Sequence, residues 1–120
     1  MNATKNFGFR RKSGILMAVS ALPSPYGIGS GGKCAFDFVD FVADTNTKCW
    51  QVLPLNPTSY GDSPYQSPAA LAGNPYFIDL DLLHKKGLLT KEELEEYHLY
   101  PDGAYTDFGY YRGLPMLKDF

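Results

Sequence analysis

The sequence predicts an α/β fold with parallel, helix-covered strands, and three observations carry that prediction. Two apolar runs, "SGILMAVSAL" (13–22) and "CWQVLPL" (49–55), have the character of strands buried on both faces. Between them "KCAFDFVDFVADTN" (33–46) places apolar residues at 35, 38, 39 and 42, the stripe of an amphipathic helix. The connections are short, and a strand–helix–strand unit of this kind is almost always right-handed with its strands parallel.

Each element has its own local reasons. The first strand, about 13–20, begins at Gly14 and is stopped by Pro23, after which "PSPYGIGSGG" is a proline- and glycine-rich loop. The helix, about 33–45, carries Asp37, Asp40 and Asp44 on the face opposite its apolar stripe, with Phe36, Phe41 and Ala43 flanking. Asn46 suits a left-handed position at its end. The second strand spans about 49–55, and Trp50, which opens it, is expected in the core.

A long loop follows. Then "NPYFIDLDLLHKKG" (74–87) reads as an extended piece and a short helix stopped by Gly87. "LTKEELEEY" (89–97) contains a capping box, in which Thr90 accepts from the N–H of Glu93 and Glu93 reaches back. The helical segment is expected over about 79–98, and "DFGYYRGLPMLKDF" (107–120) as a final helix weakened by Gly113 and Pro115. Residues 1–120 are expected to lie within one domain.

Composition narrows the function. Eleven basic against thirteen acidic residues provide no field for nucleic acid or an anionic membrane. The run Ile15–Val19 is too short for a signal peptide, and no stretch approaches the ~20 apolar residues of a membrane span. With only Cys34 and Cys49, free thiols in a reducing cytoplasm are expected rather than a disulfide framework. The expected location is cytoplasmic.

Several motifs belong to the fold rather than to chemistry. Gly27-Ile28-Gly29-Ser30-Gly31-Gly32 matches G-x-G-x-x-G, but a dinucleotide-binding turn needs its glycines directly after the strand, and "LPSPY" intervenes. The second strand also ends without an acidic residue to hold a ribose. The Asp37, Asp40 and Asp44 set and the Glu92, Glu93, Glu95 and Glu96 set are expected as solvated faces. His84 and His98 have no second ligand at metal spacing, so neither a metal nor a cofactor is expected.

The stretch "WQVLPLNPTSYGDSPYQSP" (50–68) is different. It leaves the second strand at the end where parallel α/β folds bind ligands, as does the loop after the first strand. Pro54, Pro57, Pro64 and Pro68 stiffen it, which lowers the entropy cost of binding. Tyr60 and Tyr65 offer flat aromatic faces, while Asp62, Ser63 and Gln66 offer donors and acceptors. Such a set suits a pyranose, whose C–H-rich face stacks on a ring and whose edge hydroxyls need partners. The alternative is a structural loop whose tyrosines pack over the end of the fold.

"GILMAVSALPSPYGIG", "WQVLPLNPTSYGDSPYQSPAALAGNPYFIDLD" and "DFGYYRGLPMLKDF" together resemble the N-terminal part of the 4-α-glucanotransferases, the amylomaltases of glycoside hydrolase family 77. The resemblance covers roughly residues 10–120. It departs at Asn46, Asn56 and Ser59, where the family tends to have glycine, and in the glycine-rich turn around Ser30 to Gly32. Asn tolerates positive φ, which makes Asn46 and Asn56 mild departures.

The resemblance implies the first βαβ portion of a (β/α)₈ TIM barrel plus an inserted helical segment. It implies a full-length enzyme transferring α-1,4-glucan segments between maltooligosaccharides by a retaining double displacement. The catalytic carboxylates would lie on later barrel strands, so no catalytic residue is assigned here and the chain alone is expected to be inactive. By resemblance Tyr65 stacks on the donor sugar, Ser63 helps shape the site, and Tyr60 makes an accessory glucan contact. Asp62 is expected to brace the loop. Two other functions compete with this one: a stand-alone glucan-binding module and a nucleotide-binding βαβ unit.

Overall fold

The computed structural model describes residues 11–96. Strand β1 (Gly14–Leu16) leads through a 3₁₀ turn (Val19–Ala21) to helix α1 (Lys33–Asp44) and strand β2 (Cys49–Gln51). Two further 3₁₀ turns, Tyr60–Asp62 and Pro75–Phe77, precede helices α2 (Leu80–Lys85) and α3 (Lys91–Glu96). The two strands are parallel neighbours, with Gly14 opposite Cys49, Ile15 opposite Trp50 and Leu16 opposite Gln51. Flanking bonds from Lys48 N–H to the Ser13 carbonyl and from Met17 N–H to the Gln51 carbonyl extend the pairing slightly.

The regular ladder is shorter than either apolar run. After Met17 the chain tightens into the 3₁₀ turn, closed by Ala21 N–H on Ala18 O and Leu22 N–H on Val19 O. On the other strand Pro54 has no N–H to give. Nor are the strands buried on both faces: Leu16 is 59% exposed, and only the central residue of each strand is even half-buried. Two strands cannot cover each other's faces, and among the described residues no third strand lies beside them.

Helix α1 packs with three of its four stripe positions, while Val39, the fourth, is exposed because two strands are too narrow to cover the whole stripe. Val42 is buried, Ala35 and Phe38 are half-buried, and Phe38 meets Trp50 edge to face at 4.9 Å between ring centroids. Trp50 donates its indole N–H to the Met17 carbonyl at 2.9 Å, so it belongs to the sheet–helix contact, half-buried rather than fully in the core. Phe36 (66% exposed), Val39 and Phe41 face outward. The helix ends on Asn46 at φ 57°, with Thr47 N–H on Val42 O and Asn46 N–H on Ala43 O, the paired closure of a Schellman motif.

The most deeply buried cluster lies away from the strand–helix contact. Tyr26, Ile28 and Leu80 form it, with Tyr76, Phe77, Leu83, Leu89 and Leu94 packed around them. It joins the loop after β1 to the helical pair. Asp79 caps α2 by accepting from Leu82 N–H at 2.8 Å, and Gly87 ends the helix with its N–H on His84 O.

The capping box of α3 forms as predicted: Glu93 N–H donates to Thr90 Oγ1, and the Thr90 N–H donates back to Glu93 Oε2. That backbone bond, helped by the Thr90 hydroxyl, holds the Glu93 carboxyl below its ordinary pKa. The helical stretch thus falls within residues 80–96 in two pieces. Residues 97 and 98, and the helix expected at 107–120, lie outside the described residues.

The glycine-rich loop has a structural explanation. A Cβ on Gly29 would sit 2.0 Å from the Val19 carbonyl oxygen, and one on Gly32 would sit 1.7 Å from Asp79 Oδ2. Asp79 also accepts from Ser30 Oγ at 2.6 Å, and Ser30 Oγ in turn accepts from Gly32 N–H. A carboxylate of the chain itself therefore occupies the space in front of the α1 N-terminus, where a dinucleotide would place its pyrophosphate. An incoming phosphate would meet like charge there, which rules out the nucleotide reading of this turn.

Candidate functional site

The parallel pairing sends both strand exits to one end of the sheet, and the loops after β1 and β2 meet there. A cavity of about 220 Å³ lies between them, walled by Ala18, Val19 and Ser20 from one loop and by Leu53, Asp62 and Pro64 from the other. A second opening of about 260 Å³ adjoins it and shares Val19, Leu55 and Phe77. Together they form a largely apolar hollow at the rim.

The loop beyond β2 is closed by a series of nested bonds. At its base Asn74 N–H donates to the Leu55 carbonyl at 2.8 Å. One step in, Asn56 Nδ2 lies 2.6 Å from Ala70 O, 3.1 Å from Ala72 O and 3.4 Å from Ala69 O. Further out, Ser59 Oγ donates to Gln66 O at 2.7 Å. At the tip Gln66 N–H closes on Ser63 O, a β-turn with Pro64 at its second position and Tyr65 at its third.

The expected site residues fall on this tip. Tyr65 is 73% exposed, with its N–H held by Ser63 Oγ at 3.3 Å. Ser63 is half-buried and its hydroxyl is engaged in shaping the turn. Asp62 has φ 54°, an uncommon left-handed conformation for a non-glycine residue, and its N–H donates to Ser59 O. Its Oδ1 is sealed from solvent, and the residue forms part of the cavity wall. Tyr60 opens the 3₁₀ turn Tyr60–Asp62. Asp62 is the one charged residue between positions 53 and 73, so the loop is chemically suited to a neutral ligand.

Sequence reasoning misplaced the role of Asn56. Its φ is not positive; Asn46 and Asp62 are the non-glycine residues that take that conformation among those described. What Asn56 contributes is its side-chain amide, bonded across 13 to 16 residues. Ser59 and Asn74 were likewise missed as organisers of the loop. The available signal was a polar side chain next to a proline at each end of a long loop, Asn56 before Pro57 and Asn74 before Pro75.

Other titratable groups are committed elsewhere. A wider cavity of about 450 Å³ opens between the 22–26 loop and α1, but it shares no wall with the tyrosine loop. Its carboxylates already have partners: Asp81 accepts from Tyr26 Oη at 2.8 Å, Asp79 holds Ser30, and Asp37 pairs with Lys33. The hydrogen bond from Lys33 to Asp37, with the charge of Asp37, raises the Lys33 pKa. His84 Nδ1 lies 2.9 Å from Leu89 O, in the joint between α2 and α3. Asp40 and Asp44 are exposed on α1, and Cys34 and Cys49 are free thiols. Among the described residues no group of three or more His, Cys, Asp or Glu is gathered for a metal ion, and no helix is long and apolar enough to cross a membrane.

Two parallel strands joined through a helix place the chain among the α/β proteins. The profile of the 4-alpha-glucanotransferase family matches residues 17–112, and the chain belongs to that family. It is 51% identical over 111 residues to a 4-alpha-glucanotransferase of Streptococcus pneumoniae, a match covering 91% of this chain and 22% of that protein. The corresponding Thermus thermophilus enzyme is also 51% identical over 111 residues, covering 91% and 21%. Among solved structures, an amylomaltase from Streptococcus agalactiae in complex with acarbose superposes with a TM-score of 0.78 at 43% identity. That match covers 91% of this chain and 21% of the other. The chain thus spans about a fifth of the length of the relatives it matches.

Proposed function

We propose that this chain supplies the first βαβ portion of a (β/α)₈ barrel in a 4-α-glucanotransferase, with α2 and α3 as a helical insertion and the loop after β2 as part of the glucan-binding rim. The observation that carries this reading is the arrangement at the sheet's end: two parallel strand exits converge on one hollow, and the loop beside it holds an exposed tyrosine on a bonded turn. Parallel barrels bind at that end. The exposed faces of Leu16, Phe36 and Phe41 are the surfaces that neighbouring strands and helices of a barrel would cover.

The reaction is transfer of an α-1,4-glucan segment from one maltooligosaccharide to another with retention. One carboxylate forms a glycosyl-enzyme, and a second carboxyl group protonates the leaving oxygen and then activates the acceptor hydroxyl. Neither group is assigned to this chain. Its part is to hold sugar: Tyr65 stacks on the donor, Ser63 and Asp62 shape the turn beneath it, and Tyr60 provides an accessory contact. Substrates are neutral α-glucans, which suits a loop with one charged residue, and the protein works in the cytoplasm.

The test is the product pattern. Full-length protein carrying this chain, incubated with maltotriose, is expected to give glucose together with a ladder of longer maltooligosaccharides. Glucose and maltose alone, without longer products, would show hydrolysis and refute the transfer reading.

A further inference from the structure

We infer that Asn56 and Ser59 are positioning residues, whose side chains close the loop after β2 and so fix Tyr65 for the donor sugar; this rests on the reading of Tyr65 given above. Residues 52–73 have no strand partner to order them, and a loop of this length free to open would lose entropy on each binding event. Asn56 supplies the missing cross-links. Its two amide hydrogens serve three carbonyl oxygens on the turn closed by Ala72 N–H on Ala69 O, the shortest contact being 2.6 Å. Ser59 repeats the device nearer the tip, across seven residues to Gln66 O.

These bonds lie at half-buried or exposed positions, away from the Tyr26–Ile28–Leu80 cluster. Their loss therefore loosens the loop before it threatens the fold. Two pins at different heights also act together: Asn56 fixes the loop's base and Ser59 the height of its tip, and the Ser63–Gln66 turn then sets where the Tyr65 ring stands.

Asn56→Asp tests this directly. It keeps the shape but turns a double donor into a carboxylate facing three carbonyl oxygens. In the full-length enzyme it is expected to raise KM for maltotriose about tenfold, with a smaller change in kcat, as lost hydrogen bonds of ordinary strength would do. A structural role alone would not produce the second expected result: in a Tyr65→Ala background Asn56→Asp changes KM less than about twofold, because both substitutions remove the same contact.

If Tyr65→Ala impairs the enzyme while Asn56→Asp leaves KM unchanged, the positioning role is refuted and the reading of Tyr65 stands. An Asn56→Asp effect that persists in full in the Tyr65→Ala background also refutes it. If Tyr65→Ala alone has no effect, the reading of Tyr65 fails and takes this inference with it. Should Asn56→Asp give no folded protein, Ser59→Ala enters the same cycle and the same outcomes decide.

Discussion

Tyr65→Ala in the full-length enzyme is expected to lower kcat/KM for maltotriose by about 10- to 100-fold, equivalent to about 1.4–2.7 kcal/mol of transition-state binding. Tyr65 stands on a β-turn pinned at three levels, with most of its side chain exposed among the described residues. A flat face held ready in this way carries little ordering cost when a sugar ring settles on it. Tyr65→Phe keeps the face and loses only the hydroxyl, so it should stay within about threefold of the parent if stacking is the main contact. Steady-state kinetics on the three proteins decide the matter. Equal kcat/KM for parent and Tyr65→Ala would remove Tyr65 from the site.

The largest expected effect on stability is at Gly29. A methyl group there would lie 2.0 Å from the Val19 carbonyl oxygen and 2.9 Å from the Leu22 nitrogen, both backbone atoms. Gly29 cannot retreat cheaply, because its own N–H is bonded to the Ser20 carbonyl at 3.0 Å. Gly29→Ala should therefore cost about 3 kcal/mol, the upper part of the range for overpacked cores.

Gly32→Ala makes a useful contrast. The clash there is with a side chain rather than with backbone: the Asp79 carboxylate can swing aside, while its Cβ, 2.6 Å away, shifts only together with the N-terminus of α2. Movement of Asp79 would give up the bond from Ser30 and weaken the α2 cap, a loss of about 1 kcal/mol for the cap. Urea unfolding of the full-length protein should rank the three as parent, Gly32→Ala, Gly29→Ala in falling order. A Gly29→Ala midpoint equal to that of the parent would mean the loop after β1 does not approach Val19 and Leu22 in this way.

What could be read from the sequence was local or periodic. The α1 helix, the left-handed Asn46, the Thr90–Glu93 box and the stop at Gly87 each depend on residues within a few positions of one another, and each is seen, though Val39 of the α1 stripe is exposed. The parallel pairing followed from the strand–helix–strand order. Strand length was overestimated because an apolar run records where burial is needed, whereas a ladder also needs a partner strand and free N–H groups. Burial itself was misjudged for the same reason, since two strands leave each other's faces open.

The non-local organisers were harder to see. Asn56 reaches carbonyls 13 to 16 residues away, and Asp79 reaches Ser30 across 49. No spacing rule predicts either. The glycine motif could be set aside from its spacing, but not explained by it: its glycines serve close approach to the chain's own backbone and to Asp79. The tyrosine loop could be placed at the strand exit from topology, but the bonds that shape it had to be seen.

The most direct test is a structure of the full-length protein with a bound maltooligosaccharide. The ring face of Tyr65 should lie within about 4 Å of one glucose ring, at the carboxyl end of β1 and β2. A glucan bound at that rim with Tyr65 turned to solvent, or bound on another surface, would contradict the account.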